Sequence, residues 1–257
     1  MGTRLTDKTC IVTGAGAGLG EAIARLFAEE GGRVVVMDIN ATDAERVAGE
    51  INSSGGSALP VTADVAGEAD IERTVAAAKD LGGGVDVLVN NAAVGGAPYN
   101  YSVVDTPDDV WQRCVSVNMR GPAMCMKHVI PVMLEAGSGS IVNIGSISSV
   151  IGLPIQNVYA MTKGAILQLT RQTAIEYTRR GIRVNCVLPG GMHTPMMRSE
   201  LEDPGSQATV EQELALLPMG RYADPREVAY AVLFFACGES SFCTGSALAV
   251  DGGFTAQ

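Results

Sequence analysis

Short runs of β-branched and apolar residues alternate with longer stretches of helical period along the chain. The runs Thr9–Val12, Arg33–Met37, Ala58–Val61, Val85–Val89, Ser140–Ile144, Arg183–Val187 and Ala247–Val250 predict strands. Between them, Leu19–Glu29, Asp43–Ile51, Ala69–Lys79, Asp108–Leu134, Val158–Arg179 and Pro225–Phe235 predict helices. A run such as VDVLVNN is too continuously apolar for a sheet with one wet face. It implies a parallel sheet covered by helices on both faces. Repeated β-α units of this size predict a doubly wound α/β fold. No linker composition or internal repeat interrupts the chain, so residues 1–257 read as one domain that both binds and reacts. The stretch 190–218, rich in Gly, Pro and Met, reads as a flap over a substrate.

Composition narrows the partner. A chain of 257 residues that is 47% hydrophobic can bury a sizeable core. Its formal net charge of −10 argues against a binder of nucleic acid or of an acidic membrane surface. Aromatic residues, at 5%, are too few for base-stacking platforms. A small molecule is therefore the expected ligand. The six cysteines include no C-x-x-C pair, and Cys10 and Cys186 fall in apolar runs where cysteine behaves as a small hydrophobe. Neither His128 nor His193 pairs with a cysteine at ligand spacing, so no metal is expected. Met1–Asp7 lacks the apolar stretch of a signal peptide, and no segment reaches the ~18 unbroken apolar residues of a membrane span. The expected location is the cytoplasm.

The first strand runs straight into Thr13-Gly14-Ala15-Gly16-Ala17-Gly18-Leu19-Gly20 and then a helix. Glycines at 14, 18 and 20 permit a tight turn and let backbone amides approach a pyrophosphate at the helix N-terminus, as in a Rossmann-type site. The second strand ends in Asp38, 18 residues after Gly20, where a carboxylate accepts from an adenosine ribose and repels a 2′-phosphate. Ala17 and Ile39 place no cation beside it, which favours NAD over NADP. Tyr159 and Lys163 lie four apart in a helical segment and share a face. A neighbouring ammonium, together with a positively charged nicotinamide, favours the phenolate and makes tyrosine usable as a base. Ser146 precedes Tyr159 by 13 residues, in a loop where Ser146, Ser148 or Ser149 can each present a hydroxyl to a substrate oxygen.

Together these residues resemble the short-chain dehydrogenase/reductase family in its single-domain form. The resemblance spans essentially the whole chain. It rests on TGAGAGLG at 13–20, Asp64-Val65, NNAA at 90–93, Asn118, the Ser146, Tyr159 and Lys163 spacing, PGGMHT at 189–194 and the closing TGSALAVDGG. It implies that Gly14, Gly18 and Leu19 cradle the pyrophosphate, with Asp38 on the adenosine ribose. Asp64 and Val65 would meet the adenine, and Asn91 would line the cleft. Lys163 would hold the nicotinamide ribose and lower the pKa of Tyr159. Tyr159 would exchange a proton with the substrate oxygen that Ser146 holds, and Asn118 would support a water-linked relay through Lys163. Gly190, Met192 and Thr194 would steady the carboxamide. Gln156, Met196 and the Ala93–Gly96 turn would border the substrate. The family also implies a homotetramer.

Two positions depart from the family pattern: Ala93 replaces the last glycine of N-N-A-G, and Met161 and Thr162 are bulky within YAMTK. The Met192, Met196 and Met197 group reads either as an adaptable apolar pocket or as packing beneath the flap. His193 reads as a substrate contact or a solvated loop residue, and Trp111 as a packing anchor. The leading expectation is an NAD-dependent enzyme interconverting a secondary alcohol, apolar or cyclic, with its ketone. The alternatives are a 3-oxoacyl-thioester reductase, which would want NADPH and a basic docking patch, and a non-catalytic NAD(H)-binding sensor, which would not need both Tyr159 and Lys163.

Overall fold

A computed structural model describes residues 3–197 and 214–257. Seven strands form one parallel sheet in the order β3-β2-β1-β4-β5-β6-β7: β1 Thr9–Thr13, β2 Arg33–Asp38, β3 Ser57–Thr62, β4 Val87–Asn90, β5 Gly139–Ile144, β6 Ile182–Pro189 and β7 Ala247–Val250. Alternate residues of the central strands feed opposite faces, as the pleat requires. Val12, Val34, Val36, Val89 and Val142 pack under α1 (Gly18–Glu29), α2 (Ala41–Ser53) and α7 (Pro225–Ala236). Ile11, Val35, Leu88, Ile141 and Val184 pack under α3 (Glu68–Gly82) and α5 (Gly121–Ala136), with Ala174 of α6 (Asn157–Tyr177). The helices start on local signals. Asn40 accepts from Thr42 N and Asp43 N at the head of α2, and Asp224 with Glu227 forms a capping box before Pro225 of α7.

The strand order reverses between β1 and β4, so their C-terminal ends part and open a crevice, the usual ligand position in such sheets. One predicted element is corrected. The segment Asp108–Leu134 is not a continuous α-helix but α4 (Asp108–Cys114), a π-helical turn at Val115–Arg120 and α5. A π turn rotates the next helix about its axis, and such turns gather at functional sites. Asn118 lies inside it. Trp111, read as a packing anchor, is 38% exposed. Of the predicted flap, residues 198–213 lie outside the described residues.

Candidate active site

A cleft of about 1030 Å³ runs along the C-terminal ends of the strands. It is bordered by every residue that the sequence assigned to cofactor or substrate, with Asn118 standing behind it. At its open end the glycine turn is stitched to the turn after β4. Thr13 Oγ1 accepts from Asn91 N and Ala92 N, both at 3.0 Å, and Asn91 Nδ2 donates to Thr13 O at 2.9 Å and Gly14 O at 3.1 Å. Asn91 therefore builds the cleft wall by bracing the turn. Gly14 has φ +63° and a Cβ there would stand 2.8 Å from Ala92 Cα, so a side chain is excluded on two grounds. The α1 N-cap, Ala17, offers no side-chain acceptor, which leaves the first amides of the helix open to an anion. The turn fits a pyrophosphate on these grounds.

Asp38 closes this end. Its Oδ2 accepts from Gly16 N at 2.8 Å and its Oδ1 from Asn40 N at 2.9 Å. The expectation that no cation stands nearby is corrected: α2 brings Arg46 against the turn, Nη2 donating to Gly16 O at 2.8 Å. Asp64 is also partnered, accepting from Ala66 N at 2.9 Å and from Arg113 at 3.0 Å. Arg113 borders the cleft with Val65 and was not anticipated, because α4 reaches it only through the tertiary fold.

At the inner end Lys163 is buried and Tyr159 half-buried on α6, with the ammonium 5.6 Å from the ring centroid. Lys163 Nζ donates to Ile144 O at 2.8 Å. Burial pushes the phenol up to about 12, against which the neighbouring Ser146 hydroxyl pulls, and pushes Lys163 down to about 8. Desolvation of the phenolate dominates this shift, so the protein alone does not acidify the tyrosine. The three serines differ in their partners. Ser149 Oγ is spent on Lys163 O at 2.9 Å, and Ser148 Oγ donates to Gln156 Oε1 at 2.8 Å. Ser146 Oγ is the one beside Tyr159; it accepts from Ser148 N at 3.1 Å and donates to Ser148 Oγ at 3.2 Å.

Asn118 does not aim its amide at Lys163. Its side chain accepts from Val94 N and donates to Val94 O, each at 2.8 Å, with a further bond to Thr162 Oγ1 at 3.3 Å. It pins the Ala93–Gly96 turn over the tyrosine. A Cβ at Gly95 would lie 2.9 Å from Tyr159 Cε2 and 3.3 Å from Met196 Sδ, so this turn, Met196 and the ring are in mutual contact. Thr194 and Pro195 close over Gly18, and a Cβ on Gly190 would lie 2.9 Å from Asp251 Cα. Ile155 borders the mouth with φ +54°, a strained conformation for a β-branched residue. Met192 pairs with Ala223 through a β-bridge, and Met196 and Met197 border the cleft. His193 is exposed, edge-on to the Tyr222 ring. Tyr222, Leu217 and Phe254 complete an apolar wall that sequence reasoning missed; the turn signal Asp251-Gly252-Gly253 is the only local hint, since it folds the chain back toward the cleft.

Residues 14–255 match the family model described as enoyl-(acyl carrier protein) reductase. The chain is 38% identical over its full length, and over the full length of the relative, to 2-(S)-hydroxypropyl-CoM dehydrogenase 3 of Xanthobacter autotrophicus. It is 39% identical to 2,5-dichloro-2,5-cyclohexadiene-1,4-diol dehydrogenase of Sphingobium indicum, covering 98% of each. The chain belongs to the short-chain dehydrogenase/reductase family. Among solved structures of this family it is similar to levodione reductase, with TM-score 0.94, 31% identity, and 98% and 99% of the two chains covered. As a short-chain dehydrogenase/reductase it is an oxidoreductase of alcohols and ketones, in a family whose dehydrogenases use a nicotinamide cofactor. No helix among the described residues is long and apolar enough to cross a membrane.

Proposed function

We propose that this enzyme oxidises a neutral, cyclic secondary alcohol or diol to the ketone with NAD, using Tyr159 as the base. The observation that carries the reading is one continuous cleft with Asp38 at its outer end and Ser146, Tyr159 and Lys163 at its inner end. Bound NAD supplies the hydride acceptor, and its positive ring favours the phenolate. Tyr159 takes the proton of the substrate hydroxyl as the hydrogen on carbon leaves with its electron pair. Ser146 holds the same oxygen. Lys163 binds the nicotinamide ribose and Asn118 positions the turn that shields the tyrosine.

The substrate assignment rests on the walls. Met192, Met196, Leu217, Tyr222 and Phe254 are apolar or aromatic, and of the described cations that border the cleft with Lys163, Arg113 is paired with Asp64. The cyclohexadiene diol in the name of one relative agrees with this, while the hydroxypropyl-CoM of another is acyclic at its alcohol. The family description that names a carrier-bound enoyl substrate favours an acyl-thioester reductase instead, but a net charge of −10 disfavours docking of an acidic carrier, and Asp38 disfavours NADPH. Free, mostly buried cysteines suit a reducing cytoplasm. Tyr159→Phe tests the chemistry: turnover should fall by about 100-fold to 10,000-fold while NADH binding, monitored by fluorescence, is retained. Unchanged turnover would remove Tyr159 from the mechanism.

A further inference from the structure

Against the glycine turn, beside the residues that line the cleft, stands a guanidinium for which the cofactor reading has no use. Gly16 N donates to Asp38 Oδ2 at 2.8 Å, and Gly16 O accepts from Arg46 Nη2 at 2.8 Å. A single residue of the turn thus separates Arg46 from the carboxylate on which selectivity against NADP rests. A free guanidinium in that place matches a phosphate in charge and geometry. Arg46 is not free. Glu21, in the first turn of α1, engages it twice, accepting from Nη1 at 3.1 Å and from Nη2 at 3.0 Å. Asp43 and Glu50 stand further off, at 3.8 and 3.6 Å. Arg25 holds Glu21 in turn at 2.7 Å and also pairs with Glu50. Partial burial pushes the Glu21 carboxyl up, but hydrogen bonds from Arg46 and Arg25 outweigh this and hold it below the usual range.

We propose that Glu21 is a second determinant of cofactor choice, acting through Arg46. Asp38 excludes a 2′-phosphate by repulsion, and Glu21 excludes it by occupying the guanidinium that would otherwise receive it. The inference rests on the NAD reading above and deepens it. Half-exposed pairs of this kind contribute little to stability, so breaking one leaves the fold standing.

The test is calorimetric binding of adenosine 5′-monophosphate and of adenosine 2′,5′-bisphosphate, which needs no substrate and no turnover. The wild type should prefer the monophosphate; preference for the bisphosphate would overturn the NAD reading itself. In Asp38→Asn the preference should weaken. Adding Glu21→Gln should raise affinity for the bisphosphate by a further tenfold or so, the size of a charge-assisted bond to phosphate. Adding Arg46→Ala should cancel that step. An absent second step, or one of equal size without Arg46, would overturn the role of Glu21 while leaving the NAD reading intact. Relative to Asp38→Asn, affinity for the monophosphate should stay within about twofold on adding Glu21→Gln or Arg46→Ala, since the predicted bond adds only at the 2′ position; its loss on adding Glu21→Gln would contradict a role confined to that position.

Discussion

Lys163 occupies a site that a soluble protein would ordinarily give to an apolar residue. It is 3% exposed, with burial pushing its amine down to about 8, and its one direct hydrogen bond goes to the Ile144 carbonyl. Tyr159, half-buried, is pushed the opposite way, up to about 12. Both shifts favour the neutral forms, so the pocket opposes charge on the two residues; in the mechanism proposed above, a positive cofactor ring would tip the phenol toward the phenolate. The linkage has a definite sign. A lysine depressed from 10.5 to about 8 binds fewer protons in the folded chain, so its burial costs stability in full below pH 8, and the cost fades as pH rises to 10.5. The Tyr159 shift acts only above pH 10 and in the opposite sense. Lys163→Met should therefore abolish turnover yet stabilise the cofactor-free protein at pH 7 by about 1–3 kcal/mol, the upper figure being reduced by the unpaired Ile144 carbonyl. Denaturant unfolding from pH 7 to 10 measures this. The gain should shrink toward pH 10; a variant less stable than the wild type at pH 7 would show that the amine is not held at such a cost.

The π-helical turn is the element that converts a packing helix into part of the site. It carries Asn118 against the Val94 backbone, and Val94 belongs to the turn lying over Tyr159. Asn118→Ala should cost about 2–3 kcal/mol in stability through the two lost bonds to Val94. It should lower kcat far more than it weakens NADH binding, because Asn118 stands outside the cleft. Equal losses in both would place Asn118 in the cofactor site instead. Elements of this kind divide what a sequence discloses from what it conceals. Strands such as Cys10–Val12 and Val34–Met37 are legible because burial on both faces leaves only apolar residues, and Gly14 and Gly18 because their backbone tolerates little else. The π turn is not, since a segment of six residues is too short to display a period of its own. Arg46 is equally hidden, because its approach to Gly16 depends on how α2 lies against α1. The raised phenol of Tyr159 is a property of the assembled pocket rather than of its spacing from Lys163.

At the scale of the molecule, the reversal of strand order between β1 and β4 decides where everything else converges. The glycine turn comes after β1, Asp38 ends β2, Asn91 comes after β4, Ser146 after β5 and Gly190 after β6. Five strand ends thus supply one cleft, and the selectivity of the outer end is independent of the chemistry of the inner one. The central claim joins the two: NAD is bound at Asp38, and a neutral cyclic alcohol is oxidised at Tyr159. Appearance of NADH, monitored in the near ultraviolet with NAD and NADP in parallel over cyclic alcohols, vicinal diols, hydroxysteroids and 3-hydroxyacyl thioesters, tests it most directly. Turnover of a cyclic alcohol or diol is predicted, with kcat/KM for NADP lower by about a hundredfold, the scale of a like-charge juxtaposition. A preference for NADP, or turnover confined to the thioesters, would contradict it.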